Sequence, residues 1–142
     1  MTVDEDTAVG NLRSLIDRLK GLQHDKRDKL QDLLIRLYDQ YPDDRGVFAP
    51  LLMNHIFLDM GESFFIGANA PHAYITGDCI ECMALSDNVV RAGLTPKFKD
   101  VDTLCSMLHY RYDPLQNKIY FNIYLPKLLI YTVFTHIYSY TS

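Results

Sequence analysis

The 142-residue sequence predicts an α+β chain, a helical hairpin followed by the short strands of a sandwich or small barrel. Two observations carry this. From Val9 to Tyr41 apolar residues recur at three- and four-residue steps, the period of a helix with one buried face. From Val47 onward that period gives way to short apolar runs separated by turn residues rich in Gly, Pro and Asn. The length is that of one domain, and 48% hydrophobic residues suffice for a core.

The first helix is expected over residues 7–22, with Val9, Leu12, Leu15, Ile16, Leu19 and Leu22 on one face and Asp6 or Thr7 as its cap. Gly21 and Gln23-His24 interrupt the pattern. The second helix is expected from about Asp25 to Tyr41, with Leu30, Leu33, Leu34, Leu37, Tyr38 and Tyr41 as its stripe. Pro42 ends it, because proline lacks the amide hydrogen and restricts the residue before it. The short connection implies an antiparallel hairpin. Both stripes read as core.

Strands are expected at Leu51–Asp59, Ser63–Ile66, His72–Thr76 and Cys79–Ala84, with turns at Met60–Glu62, Gly67–Pro71 and Gly77-Asp78. Alternation puts His72, Tyr74 and Thr76 on one face of their strand, and Cys79, Glu81 and Met83 together on the next. A hairpin joining the two strands places His72, Tyr74 and Glu81 on one wall if the register allows it. His72 alone reads as a surface or packing histidine; its company makes it a candidate metal ligand.

Composition excludes several classes. A formal charge of −4 and a pI near 5.6 argue against a nucleic-acid partner. Lys26, Arg27 and Lys29 alternate with Asp25, Asp28 and Asp32, the pattern of a solvated helix face. The acidic N-terminus is no secretory signal, and no run is long enough to span a membrane. Three cysteines without framework spacing fit the reducing cytoplasm. Cys79-Ile80-Glu81-Cys82 has C-x-x-C spacing, but strand alternation points its thiols to opposite faces and no second pair exists, so both read as buried thiols. Cys105, in an apolar run, reads as core.

Several long segments together resemble one family. They are Gly61-Glu62, Ala68-Asn69-Ala70-Pro71-His72-Ala73-Tyr74, Gly77-Asp78, Glu81-Cys82-Met83-Ala84, Ser86-Asp87-Asn88 and Arg91-Ala92-Gly93-Leu94-Thr95-Pro96-Lys97. The resemblance is to type I mannose-6-phosphate isomerase, a zinc enzyme of the cupin superfamily. It runs from about Leu30 to Tyr112 and is strongest from Gly61 to Leu108. It implies a partial cupin (double-stranded β-helix) barrel, with mannose 6-phosphate and fructose 6-phosphate as the interconverted sugar phosphates and GDP-mannose supply as the role. It also implies that His72 is a zinc ligand, Arg91 and Glu81 are catalytic, and Tyr74 and Lys97 lie at the sugar and its phosphate. Aldose–ketose isomerisation moves a proton between neighbouring carbons, which suits a carboxylate base, a Lewis acid and cations for phosphate.

The resemblance also implies a fragment. The family's other zinc ligands, a glutamine, a second histidine and a glutamate, belong to an upstream portion without a counterpart here. Two functional classes follow: an active isomerase, or a non-catalytic cupin-like chain. The expected organisation is a helical segment at 1–46, a partial barrel with the family motifs at 47–112 and a divergent apolar tail at 113–142. Seven of the ten tyrosines lie from Tyr110 onward, and no acidic residue follows Asp113. That tail reads as an added strand or, preferentially, as the read-through end of a truncated transcript or gene model.

Overall fold

The computed structural model describes residues 4–60, 62–82 and 89–108, and the backbone of the strands at 119–121 and 135–139. The chain forms two compact units. One comprises Met1–Leu52 and Val90–Val101, and the other Met53–Val89 and Asp102–Ser142.

The first unit is helical. Helix α1 spans Glu5–Lys20, and its cap is Asp4, whose carboxylate accepts the Thr7 N–H. A short 3₁₀ turn at His24–Lys26 leads to α2, Lys29–Gln40. Asp28 and Gln31 form a reciprocal capping box at its start, which explains why α2 begins after the expected Asp25, one residue before the first leucine of its stripe. Leu12, Ile16 and Leu19 of α1 and Leu33, Leu34 and Leu37 of α2 are buried, as the stripes require. Ion pairs join Arg13 to Asp43 and Lys20 to Asp39. Arg13 precedes Lys20 on α1, whereas their partners run in the reverse order, Asp39 on α2 and Asp43 just beyond its end, as in an antiparallel hairpin.

Within the charged connection, Arg27 pairs with Asp32 at 2.8 Å. Past Pro42 the chain turns through Asp43 in a left-handed conformation (φ 62°) and enters a 3₁₀ helix at Arg45–Leu51. This helix packs on both α1 and α2 and contributes the fully buried Val47. The expected strand at Leu51–Asp59 therefore starts late: β1 is Asn54–Leu58. Pro50 belongs to the preceding turn.

The second unit is built from short antiparallel strands: β2 (Glu62–Phe64), β3 (His72–Tyr74), β4 (Ile119–Phe121) and β5 (Thr135–Ser139) join β1. One sheet has the order β1–β5–β3, with Ile56 opposite Ile137 and Tyr74 also opposite Ile137. β2 pairs with β4, Glu62 opposite Phe121. Ile56 and Leu58 are buried, with Phe64 and Ile66 packed against them. β5 lies within the apolar tail and occupies the centre of the larger sheet, the added-strand alternative of the sequence reading.

Three expectations need correction. Cys79–Cys82 carries no strand; only Asp78 makes an isolated bridge, so the chain after the turn at Gly77 (φ 109°) is irregular. Cys79, Cys82 and Cys105 are all exposed rather than buried. Cys105 sits on a short helix, α3 (Val101–Met107), that has no buried residue. The Ser86-Asp87-Asn88 motif and Met83-Ala84 lie outside the described residues, as does most of the stretch from 113. No described helix is long and apolar enough to cross a membrane.

Candidate functional site

The five candidate residues divide between the two units. His72, Tyr74 and Glu81 belong to the strand unit, and Arg91 and Lys97 to the helical unit.

His72 and Tyr74 are the first and last residues of β3 and therefore share its face. Asn69 adopts a left-handed conformation (φ 62°), one that asparagine tolerates better than most residues, and turns the chain into Pro71 and β3. The His72 Nδ1 lies 3.0 Å from the Ala70 carbonyl. A carbonyl only accepts, so this nitrogen carries the hydrogen, and in the neutral ring the lone pair then falls on Nε2. That is how a metal-ligating histidine is usually oriented, with its other nitrogen held by an acceptor. The rings of His72 and Tyr74 meet edge to face, with centroids 5.7 Å apart.

The Tyr74 hydroxyl donates to Glu81 Oε1 at 2.7 Å. Partial desolvation of the phenol, on a residue still 43% exposed, together with this hydrogen bond and the charge of Glu81, holds the Tyr74 hydroxyl well above the ordinary phenol range. The structure thus brings His72, Tyr74 and Glu81 together, Glu81 by way of the turn at Gly77 rather than a paired strand. Among the described residues, no group of three or more His, Cys, Asp or Glu side chains stands ready to hold a metal.

Arg91 is half-buried and Lys97 exposed. The segment carrying them is held against the start of the 3₁₀ helix. Asp44 Oδ1 accepts the Gly46 N–H at 2.7 Å, and Asp44 Oδ2 accepts from Lys99 Nζ at 3.1 Å. The Leu94 N–H also donates to this carboxylate. Burial pushes the Asp44 carboxyl up, but the bonds from Gly46, Lys99 and Leu94 outweigh it, leaving it below the usual carboxylate range. Asp44 is absent from the candidate residues read from the sequence; its one signal there is its place just after the helix-ending proline.

Residues 1–53 match the phosphomannose isomerase type I helical insertion domain, a stretch that ends almost where the first run of the helical unit ends. A "probable mannose-6-phosphate isomerase" of Dictyostelium discoideum is 59% identical over 101 residues, covering 71% of this chain and 22% of that protein. The mannose-6-phosphate isomerase of Saccharomyces cerevisiae is 51% identical over 120 residues, 83% of this chain and 28% of its own length. Over most of its length this chain is homologous to the mannose-6-phosphate isomerases of type I. The enzyme of Rattus norvegicus is 51% identical over an alignment covering 94% of this chain and 34% of the relative. That alignment takes in part of the stretch from Asp113 onward. The chain spans between a fifth and about a third of the length of these relatives.

Proposed function

We propose that this chain carries part of a sugar-phosphate isomerase site for the zinc-dependent interconversion of mannose 6-phosphate and fructose 6-phosphate in the cytoplasm. The observation that carries the reading is the hydrogen-bonded set on and after β3. A carboxylate, Glu81, stands on the Tyr74 hydroxyl, and beside Tyr74 is a histidine with Nε2 free to ligate. The strand unit is then a portion of a cupin barrel, and the site opens on the face shared by His72 and Tyr74.

In this reading Glu81 takes a proton from the carbon next to the substrate carbonyl and returns it to the neighbouring carbon. Tyr74 orients that carboxylate through its hydroxyl and contacts the sugar. Arg91 and Lys97 hold phosphate or stabilise oxyanion charge, the guanidinium by two parallel hydrogen bonds. His72 fits zinc as one ligand. The described residues do not complete a ligand set, so the remaining donors must come from elsewhere. Zinc, when bound, supplies a Lewis acid that polarises the carbonyl.

The same shortage of ligands favours a second reading, a cupin-like chain that does not catalyse. Elemental analysis of the purified chain and of His72→Ala, followed by an isomerase assay with added zinc, separates the two. Zinc-dependent turnover that is lost in Arg91→Ala supports the isomerase. Stoichiometric zinc without turnover, or no zinc and no turnover, overturns it for this chain.

A further inference from the structure

We infer that Asp44 is the positioning residue for the segment that carries Arg91 and Lys97, tying its backbone to the helical unit. The inference rests on the reading of those two cations as phosphate-holding groups. It adds the residue that sets where they stand.

The geometry is local and specific. The Asp44 side chain is only 11% exposed. Its carboxylate gathers donors from three places: the Gly46 N–H at the start of the 3₁₀ helix, the Leu94 N–H inside the cationic segment, and Lys99 just beyond it. An isolated exposed ion pair contributes little. A mostly buried carboxylate that satisfies two backbone amides is different, because its removal leaves those donors without their partner.

The backbones it joins are in direct contact. A Cβ placed on Gly46 would stand 2.8 Å from the Leu94 nitrogen and 3.0 Å from the Gly93 Cα. A Cβ placed on Gly93 would stand 2.9 Å from the Gly46 Cα. Two glycines therefore let one main chain lie on the other, an approach that any side chain would prevent. Leu94 itself is left-handed (φ 53°), a conformation that a leucine keeps only where its surroundings hold it. Arg91 precedes Leu94 by three residues and Lys97 follows it by three, so the placement of both cations is inherited from this contact. Asp44 acts through the segment and is not assigned a contact with substrate.

The test uses the full chain, isotope-labelled, as wild type, Asp44→Asn and Gly93→Ala. Amide hydrogen exchange is followed by NMR across residues 90–99 and across α1 and α2, under conditions where all three proteins are folded. The same samples are titrated with inorganic phosphate and with mannose 6-phosphate. Asp44→Asn keeps the shape but loses the charge, so exchange in 90–99 should rise about tenfold while the buried turns of α1 and α2 are unchanged. Affinity for both phosphates should fall about tenfold. Gly93→Ala, with the carboxylate intact, should reproduce both effects by wedging the backbones apart.

Unchanged exchange in 90–99 overturns the inference. So does a rise spread equally over both helices, which would make Asp44 a general stabiliser of the unit. Loosened exchange with undiminished phosphate affinity overturns the link to the cations. If the wild-type chain binds neither phosphate, the reading of Arg91 and Lys97 fails, and the tie itself is then decided by the exchange data.

Discussion

Tyr74 and Glu81, seven residues apart, are joined by a 2.7 Å hydrogen bond in which the phenol donates to the carboxylate. Turning the phenol into a phenolate would set two negative charges against each other, and the partial desolvation of the hydroxyl adds to that cost. In an alkaline titration followed at the tyrosinate absorbance, the difference between wild type and Tyr74→Phe should reveal one tyrosine ionising above the ordinary value of about 10. Glu81→Gln should bring it back toward that value. Because the folded value is raised, the contribution is fully present below the unfolded value, begins to fall as the pH rises past it and is lost through the folded one. A Tyr74 that titrates with the other tyrosines would contradict the contact.

That contact was partly legible in the sequence. Alternation puts His72 and Tyr74 on one face, because a strand leaves a side chain no other choice. The partnership with Glu81 was reached through an expected second strand that the structure does not contain over Cys79–Cys82. Gly77, at φ 109°, turns the chain enough to deliver Glu81 without one. The two helices were legible because each has a one-sided apolar stripe and Pro42 stops the second. Their starts were not, since caps by Asp4 and Asp28 depend on side-chain geometry that the apolar period does not encode. Asp44 was invisible for a different reason: its partners Leu94 and Lys99 are far along the chain, and no local pattern announces such a contact.

The capping box at the start of α2 gives a stability prediction. Asp28 Oδ1 accepts the Gln31 N–H at 2.8 Å, and the Gln31 side chain returns to the Asp28 N–H at 3.1 Å. Asp28→Ala should remove about 1 kcal/mol of helical stability. Urea unfolding followed by far-ultraviolet circular dichroism measures it. Asp28→Asn should retain most of the stability, since its amide oxygen still accepts.

The core of the helical unit gives a larger effect. Leu12 is fully buried, whereas Leu22, on the same expected stripe, is 39% exposed beyond the end of α1. Leu12→Ala should cost about 2–5 kcal/mol through lost burial and the cavity left behind. Leu22→Ala should cost far less. Equal losses in the two variants, measured by the same unfolding experiment, would place the core elsewhere.

Acid should act on the helical unit through Asp44. Its folded carboxyl lies below its unfolded value of 3.8, because the bonds from Gly46, Lys99 and Leu94 outweigh burial. A depressed value means that the unfolded chain binds the proton more readily, so stability rises with pH across that interval. The contribution is therefore present above the unfolded value and lost as the pH falls through the folded one. Urea unfolding of the helical signal from about pH 3 to about pH 7 should show wild type losing stability toward the acid end. Asp44→Asn should be less stable at neutral pH and flatter, and the two curves should draw together as the pH falls. Parallel curves would mean that the Asp44 charge contributes nothing to holding Leu94 and Lys99.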